Sequence, residues 1–309
     1  QTNGVEYNFG MNAKRFMSMT EEDARAYLES LRWPDGPVCP HCESKEVVRL
    51  QGKATRPGVH KCKAKECRKQ FTVTVKTIFE ASHIPLSKWI AGFYMVCCSK
   101  KGVSSLQLQR MLGIGSYKTA WFMVGRIRWA MRQEPLRTML KGIVEADETW
   151  VGPRLRGKGK GLKVENKTAV MAMVERGGKL RPKVIGRVTK ANLREALDEV
   201  VQDGSVLMTD ELQAYRKITG RFKAHKTVNH SEGEYARGDA HCNTAESWFA
   251  LLKRGVHGTF HHVSQEHLFR YADEFAWRFN QRKVSDAERT ESAIMTAPGK
   301  RLMYRAMGA

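Results

Sequence analysis

Four cysteines constrain this chain more than any other feature. They stand as Cys39-Pro-His-Cys42, nineteen residues, then Cys62-Lys-Ala-Lys-Glu-Cys67. Two short-spaced pairs at this separation have the spacing of a tetrahedral Zn²⁺ site. Each pair makes one knuckle, and the intervening hairpin returns the second pair to the first. Val47, Val48 and Leu50 before the turn, and Phe71, Val73 and Val75 after it, alternate like short strands. The pattern predicts a zinc ribbon over residues 36–80, with a structural Zn²⁺ on Cys39, Cys42, Cys62 and Cys67. His41 and His60 are within reach as substitute ligands. Disulfides fit the pattern less well, because the chain has seven cysteines and no basic-then-apolar leader near Gln1. Cys97, Cys98 and Cys242 read as small buried apolar residues.

Helices flank the ribbon. In an N-terminal helical segment, residues 1–35, Thr20-Glu-Glu-Asp23 opens an apolar-periodic run like a capping box, and the run stops at Trp33-Pro34. Residues 81–138 carry three helical stretches. The first holds Trp89, Ile90, Phe93 and Tyr94, and the second runs from Ser105 to Leu112. The third, from Ser116 to Met131, follows the short turn Gly113-Ile-Gly115. Helix, tight turn, helix resembles a helix-turn-helix, whose last helix can enter the DNA major groove. Ser116, Tyr117 and Lys118 are its candidate DNA contacts; an ordinary three-helix bundle has the same periodicity. Charge favours DNA. The chain has 53 Lys+Arg against 32 Asp+Glu, a formal +21. A basic surface gains affinity for a polyanion through counterion release. The longest apolar run, Trp89–Cys98, is ten residues, and a spanning helix needs about 20. No membrane partner is expected.

Composition changes at Gly142. Strands are expected at Ile143–Val151, Thr168–Glu175 and Lys183–Thr189. Helix Ala191–Val201, strand Val206–Thr209, helix Leu212–Ile218, strand Lys226–Asn229 and a long helix Asn243–Gly255 follow. This order indicates an α/β domain with a mixed sheet. Gly152–Lys167 reads as a basic loop in which Arg154, Arg156, Lys158 and Lys160 could follow a phosphate backbone. It is not a P-loop, since Asn166 stands where Gly should precede Lys167-Thr168.

The chemistry points to carboxylates. In Ile143-Val-Glu-Ala-Asp-Glu-Thr-Trp150, alternation puts Glu145, Asp147 and Thr149 on one sheet face and Val144, Ala146 and Glu148 on the other. Three acids suit a strand poorly, so something besides packing should hold them. Asp210 ends the strand Val206-Leu-Met-Thr-Asp210, where an open α/β sheet presents its crevice. Glu246 lies one turn into the long helix. Converging carboxylates attract hard cations such as Mg²⁺ or Mn²⁺, and a two-metal pair suits phosphodiester transfer.

These residues resemble the bacterial insertion-sequence transposases of the DDE superfamily, in the branch with a zinc ribbon before a ribonuclease-H-like catalytic domain. The quoted words are Arg32-Trp-Pro-Asp-Gly36, Cys39-Pro-His-Cys42, Asp147-Glu-Thr-Trp150, Thr209-Asp-Glu211, His241-Cys-Asn-Thr-Ala-Glu246 and Tyr271-Ala-Asp-Glu274 through Arg282. Asp210 and Glu246 are separated by 35 residues, and Lys253-Arg254 follows two helical turns later. The resemblance implies a multidomain α+β protein with a ribonuclease-H-like domain over residues 139–285 and a tail at 286–309. It implies a DNA transposase that binds terminal inverted repeats and, with two Mg²⁺ or Mn²⁺ ions, cuts and joins strands. Asp147, Asp210 and Glu246 would hold the metal, and Lys253 and Arg254 would contact DNA. Some relatives use Asn as the third member, and Asn243 lies one turn before Glu246, so both remain candidates. The resemblance further implies a homodimer or larger assembly holding element ends and target DNA, in the cytoplasm and at the nucleoid. Two rivals remain, a transposase-derived DNA-binding regulator without catalysis and a plain metal-dependent nuclease.

Overall fold

The computed structural model describes residues 11–132, 138–152, 167–215, 218, 220–228 and 241–302. The chain divides into two compact units. One holds residues 1–99, 105–130 and 284–309; the other holds 100–104 and 131–283.

The first unit begins with helices α1 (Ala13–Ser18) and α2 (Glu21–Arg32). The expected capping box is formed. Thr20 Oγ1 accepts from the Asp23 amide at 3.1 Å, and Asp23 accepts from the Thr20 amide at 3.3 Å. Strands β1 (Val47–Arg49), β2 (His60–Cys62) and β3 (Gln70–Phe71) make a three-stranded antiparallel sheet in that order. Arg32 donates to the carbonyls of Val73 and Val75, fastening α2 to the ribbon's exit. Then come α3 (Leu86–Cys98), α4 (Ser105–Leu112) and α5 (Tyr117–Met131). The C-terminal segment packs here too: within this unit, its helix Asp286–Met295 lies against α2 and α3. Buried Arg126 on α5 is satisfied by three carbonyls, those of Ile78, Glu80 and Leu302. A buried guanidinium needs such partners, since an unpaired one costs several kcal/mol.

The second unit is a five-stranded mixed sheet. Its strands are β4 (Ile143–Val151), β5 (Thr168–Glu175), β6 (Leu180–Ile185), β7 (Val206–Asp210) and β8 (Ala224–Val228), ordered β6-β5-β4-β7-β8. β4, β5 and β6 pair antiparallel, whereas β4–β7 and β7–β8 are parallel. Helix α6 (Lys190–Val200) covers one face with Leu193 and Leu197 against Val144, Ala146 and Leu207. The other face carries α7 (Asn243–Gly255) and α8 (Leu268–Asn280), with Trp248, Leu252 and Phe275 against Val170 and Ala172. Each such apolar side chain contributes about 1.5–3 kcal/mol by burial. Gly255 lets α8 approach: a Cβ there would lie 2.1 Å from the Phe275 ring. α9 is the Asp286–Met295 helix of the first unit.

Two local expectations are corrected. The third strand begins at Leu180, not Lys183, because Gly177 at φ 72° closes a tight hairpin with Glu175 donating to Lys179. Pro182 is tolerated within the strand because β6 is an edge strand with a free side. In place of a helix over Leu212–Ile218, the described residues form only a 3₁₀ turn, Gln213–Tyr215, which drives Tyr215 into the core.

Candidate active site and metal centre

In the ribbon, Cys39 and Cys67 sulfurs lie 3.7 Å apart and those of Cys42 and Cys62 lie 3.6 Å apart, with all four within 4.8 Å. A tetrahedron with Zn–S bonds of about 2.3 Å has edges of about 3.8 Å, so these sulfurs stand at ligand spacing. Local backbone makes the knuckles. Each pair is followed by a non-glycine residue in the left-handed region, Glu43 at φ 62° and Arg68 at φ 51°. Glu43 donates to the Cys39 carbonyl, and Cys67 and Arg68 both donate to that of Ala64. Burial pushes the Cys39 thiol up, but amides of His41 and Cys42 and neighbouring sulfurs outweigh it, leaving about 7. His60 is not among the clustered ligands. Its ring is buried, stacked on Phe71 and edge-on to Trp33, as a core aromatic.

The second cluster sits on the sheet face that carries α7. β4 and β7 pair in parallel with Glu145 opposite Met208, and that register carried two residues further sets Asp147 level with Asp210. Both carboxylates are half-buried. Asp147 accepts from the Glu148 amide at 2.7 Å, and Asp210 accepts from Leu212 at 3.1 Å, fixing its turn. From α7, Asn243 and Glu246 are exposed and Lys253 is half-buried. The buried Cys242 thiol lies in the field of these acids. Its own burial pushes its pKa up most, and Asp147, Glu145, Asp210 and Glu246 all add to the push. Lys253 joins the same field: burial pushes it down, Asp147 pulls it up, and Lys167 opposes. Among the described residues, the four cysteines are the one group of three or more ligands drawn within 4.8 Å; the acids share a field without that close approach.

Two carboxylates beside this cluster were not assigned roles from sequence. Glu145 is fully buried and caps α7 from another element. It accepts from Thr244 N at 2.9 Å, Thr244 Oγ1 at 3.0 Å, Ala245 N at 3.4 Å and Arg176 Nε at 2.9 Å. His241 Nδ1 lies 3.3 Å away. The residue before α7, Cys242, makes no side-chain cap, and Glu145 fills that role from β4. Three acids in a strand were the available signal, since one had to find compensating donors. Glu148 points to the opposite face and accepts from Tyr215 at 2.7 Å. Burial pushes it up to about 8; the tyrosine pulls it back, and Asp210 and Asp147 add to the rise.

The transposase zinc-ribbon model matches residues 19–70, and the ISXO2-like transposase domain model matches residues 139–280. The chain belongs to the insertion-sequence transposases with a zinc ribbon ahead of a DDE-type domain. It is 28% identical over 303 residues to a protein in transposable element ISH50 of Halobacterium salinarum, covering 93% of this chain and 99% of that protein. A transposase-like protein of Haemophilus influenzae is 27% identical over 101 residues, covering 33% of this chain and 80% of that protein. The crystal structure of a pre-cleavage Mos1 transpososome matches with TM-score 0.28 and 15% identity, over 65% of this chain and 75% of that one.

Of the transposase's expected DNA contacts, Tyr117 is 53% exposed and Lys118 is exposed at the start of α5. Ser116 is also exposed, but its hydroxyl accepts from the Thr119 amide at 3.1 Å and so caps α5. Arg254 is exposed, with Nε donating to the Ala250 carbonyl. Arg154, Arg156, Lys158 and Lys160 lie outside the described residues. No described helix is long and apolar enough to cross a membrane.

Proposed function

We propose that this transposase binds the terminal inverted repeats of its element and catalyses strand cleavage and strand transfer. The observation that carries the reading is the parallel β4–β7 register that sets Asp147 level with Asp210 on the face carrying α7, the helix that bears Glu246 and Lys253. The donors are carboxylate oxygens at the middle of β4, at the carboxyl end of the adjacent β7 and on a facing helix, which fits hard divalent cations. Asp147, Asp210 and Glu246 would hold two Mg²⁺ or Mn²⁺ ions, which when bound activate a water or 3′-hydroxyl and stabilise the leaving oxygen. Asp147 and Asp210 are pinned by backbone donors, so their geometry is set before substrate arrives. Glu145 fixes the start of α7 and with it the place of Glu246. Lys253 meets a DNA phosphate. In the other unit, the exposed start of α5 supports end recognition, and the zinc-held ribbon supports a second DNA contact. Assembly as a homodimer or larger oligomer follows from the need to hold two ends.

The test is strand transfer with Mg²⁺ on DNA carrying the element's ends. Asp147→Asn and Asp210→Asn should each lower joining by orders of magnitude while DNA binding survives, because phosphate contacts come from basic residues. Wild-type protein that binds ends but never cuts would favour a DNA-binding regulator. Nicking without joining would favour a nuclease.

A further inference from the structure

The carboxyl end of β4 opens into a cavity that the proposed chemistry does not use. It has a volume of about 700 Å³, and its walls include Trp150, Lys167, Arg187, His262 and Gln265. No carboxylate is among its described lining residues, although the chain averages about one acid in ten. Lys167 is half-buried, and Arg187 and His262 are exposed. A neighbouring cavity of about 210 Å³ shares Val151, Gly152, His262 and Val263 and adds His257 and His261. Lys167 and Arg187 thus stand at this end of the sheet with no carboxylate among the described lining residues.

The cavity is continuous in charge with the carboxylate cluster. Trp150 is three residues beyond Asp147 on β4, about 10 Å at strand rise. Lys253, half-buried on α7, lies in the field of both Asp147 and Lys167. Gly152 and Lys167 also bracket a sequence carrying Arg154, Arg156, Lys158, Lys160 and Lys163 against one acid, Glu165. A span of about 10 Å is some three steps of a duplex strand at 3.4 Å each.

We infer that this cavity receives the phosphate backbone of the DNA strand running on from the reacting bond, with Lys167, Arg187 and His262 meeting its phosphates. The inference rests on the transposase reading, since the Asp147 cluster marks the reacting bond. It makes the cavity a positioning surface, holding the strand at a fixed distance from Asp147.

The experiment measures how binding of the zinc-loaded full chain to a mixed-sequence duplex oligonucleotide falls with salt. Each phosphate contact contributes about 0.9 to the slope of log K against log salt, roughly 3.5-fold in affinity between 50 and 200 mM. Arg187→Gln and Lys167→Gln should each reduce the slope by about that amount. Arg187→Lys should keep it, and Lys223→Gln, an exposed lysine outside the cavity, should leave it unchanged. Circular dichroism establishes that each variant is folded. A full slope in folded Arg187→Gln and Lys167→Gln overturns the inference, even if the wild type joins DNA normally. Loss of slope in a protein that never joins strands sinks the transposase reading and leaves the cavity as a DNA site.

Discussion

Glu145→Gln tests whether a buried carboxylate organises the catalytic helix. The side chain is fully buried and receives two α7 amides, the Thr244 hydroxyl and the Arg176 guanidinium. A hydrogen bond to a charged group contributes about 1.5–3 kcal/mol, and removing one partner of a buried pair costs about 3–5 kcal/mol. The helix N-terminus adds up to about 2 kcal/mol in partly buried geometry. These overlap, Arg176 keeps 22% of its side chain in solvent, and the amide retains one accepting oxygen. A net loss of about 3 kcal/mol follows. For a domain of 150–250 residues that lowers Tm by about 6–12 °C. Calorimetry of the zinc-loaded full chain reads it as a fall in the transition of the sheet unit alone.

The function-specific readout is metal dependence. If Glu145 sets the place of Glu246, the variant's strand joining should need more Mn²⁺ for half-activation while its duplex affinity is unchanged. Arg176→Met in the Glu145→Gln background should cost less than Arg176→Met alone, because the partner charge is already gone. A Tm within about 2 °C of wild type, the shift expected from about 1 kcal/mol or less, would refute the reasoning. So would an unmoved Mn²⁺ requirement.

Three other outcomes are expected. Cys62→Ser should lower the zinc content measured by elemental analysis and weaken end binding, with the transition of the sheet unit unmoved; active protein free of zinc would remove the metal centre. His225, half-buried on β8, donates from Nε2 to Thr209, whose own proton is on the Asp210 carbonyl, and burial depresses its pKa below 6.5. A base with a lowered folded pKa gives stability that is present above its unfolded value and lost as pH falls below about 6.5, so urea denaturation of His225→Gln should lose part of the acid sensitivity between pH 6.5 and 5. For the third metal-site residue, Glu246→Gln should abolish joining at low Mn²⁺ and Asn243→Ala should weaken it less; the reverse order would make the site an Asp-Asp-Asn one.

The ribbon was legible because metal spacing is a local rule. Four thiols at fixed intervals require two knuckles and a hairpin whatever the intervening sequence, so the strands and ligands follow together. The capping box at Thr20 and the turn at Gly113 were legible for the same reason, since each uses side chains within a few residues. What escaped depends on partners far along the chain. Pro182 argues against a strand until the strand is known to be an edge. Tyr215 looked like the middle of a helix, and what holds it in place is a hydroxyl bond to Glu148, 67 residues away.

The acids divide in the same way. Alternation alone put Glu145 and Asp147 on one face of β4 and Glu148 on the other, and the structure keeps that division. Alternation does not say which acid is solvated, and that difference separates their roles. Asp147 in the middle of β4 and Asp210 at the end of β7 stay half-exposed, where a carboxylate can meet a cation. Glu145 is sealed beneath α7, and only paired donors make its charge bearable there. One strand thus carries both the proposed ligand Asp147 and the anion that anchors the helix bearing Glu246. Because Glu145 and Asp147 are two residues apart on a central strand paired on both sides, α7 is referenced to the same backbone as the first acid. The spacing between Asp147 and Glu246 is therefore set by a strand and a helix cap, and it does not depend on the residues that join α7 to β8.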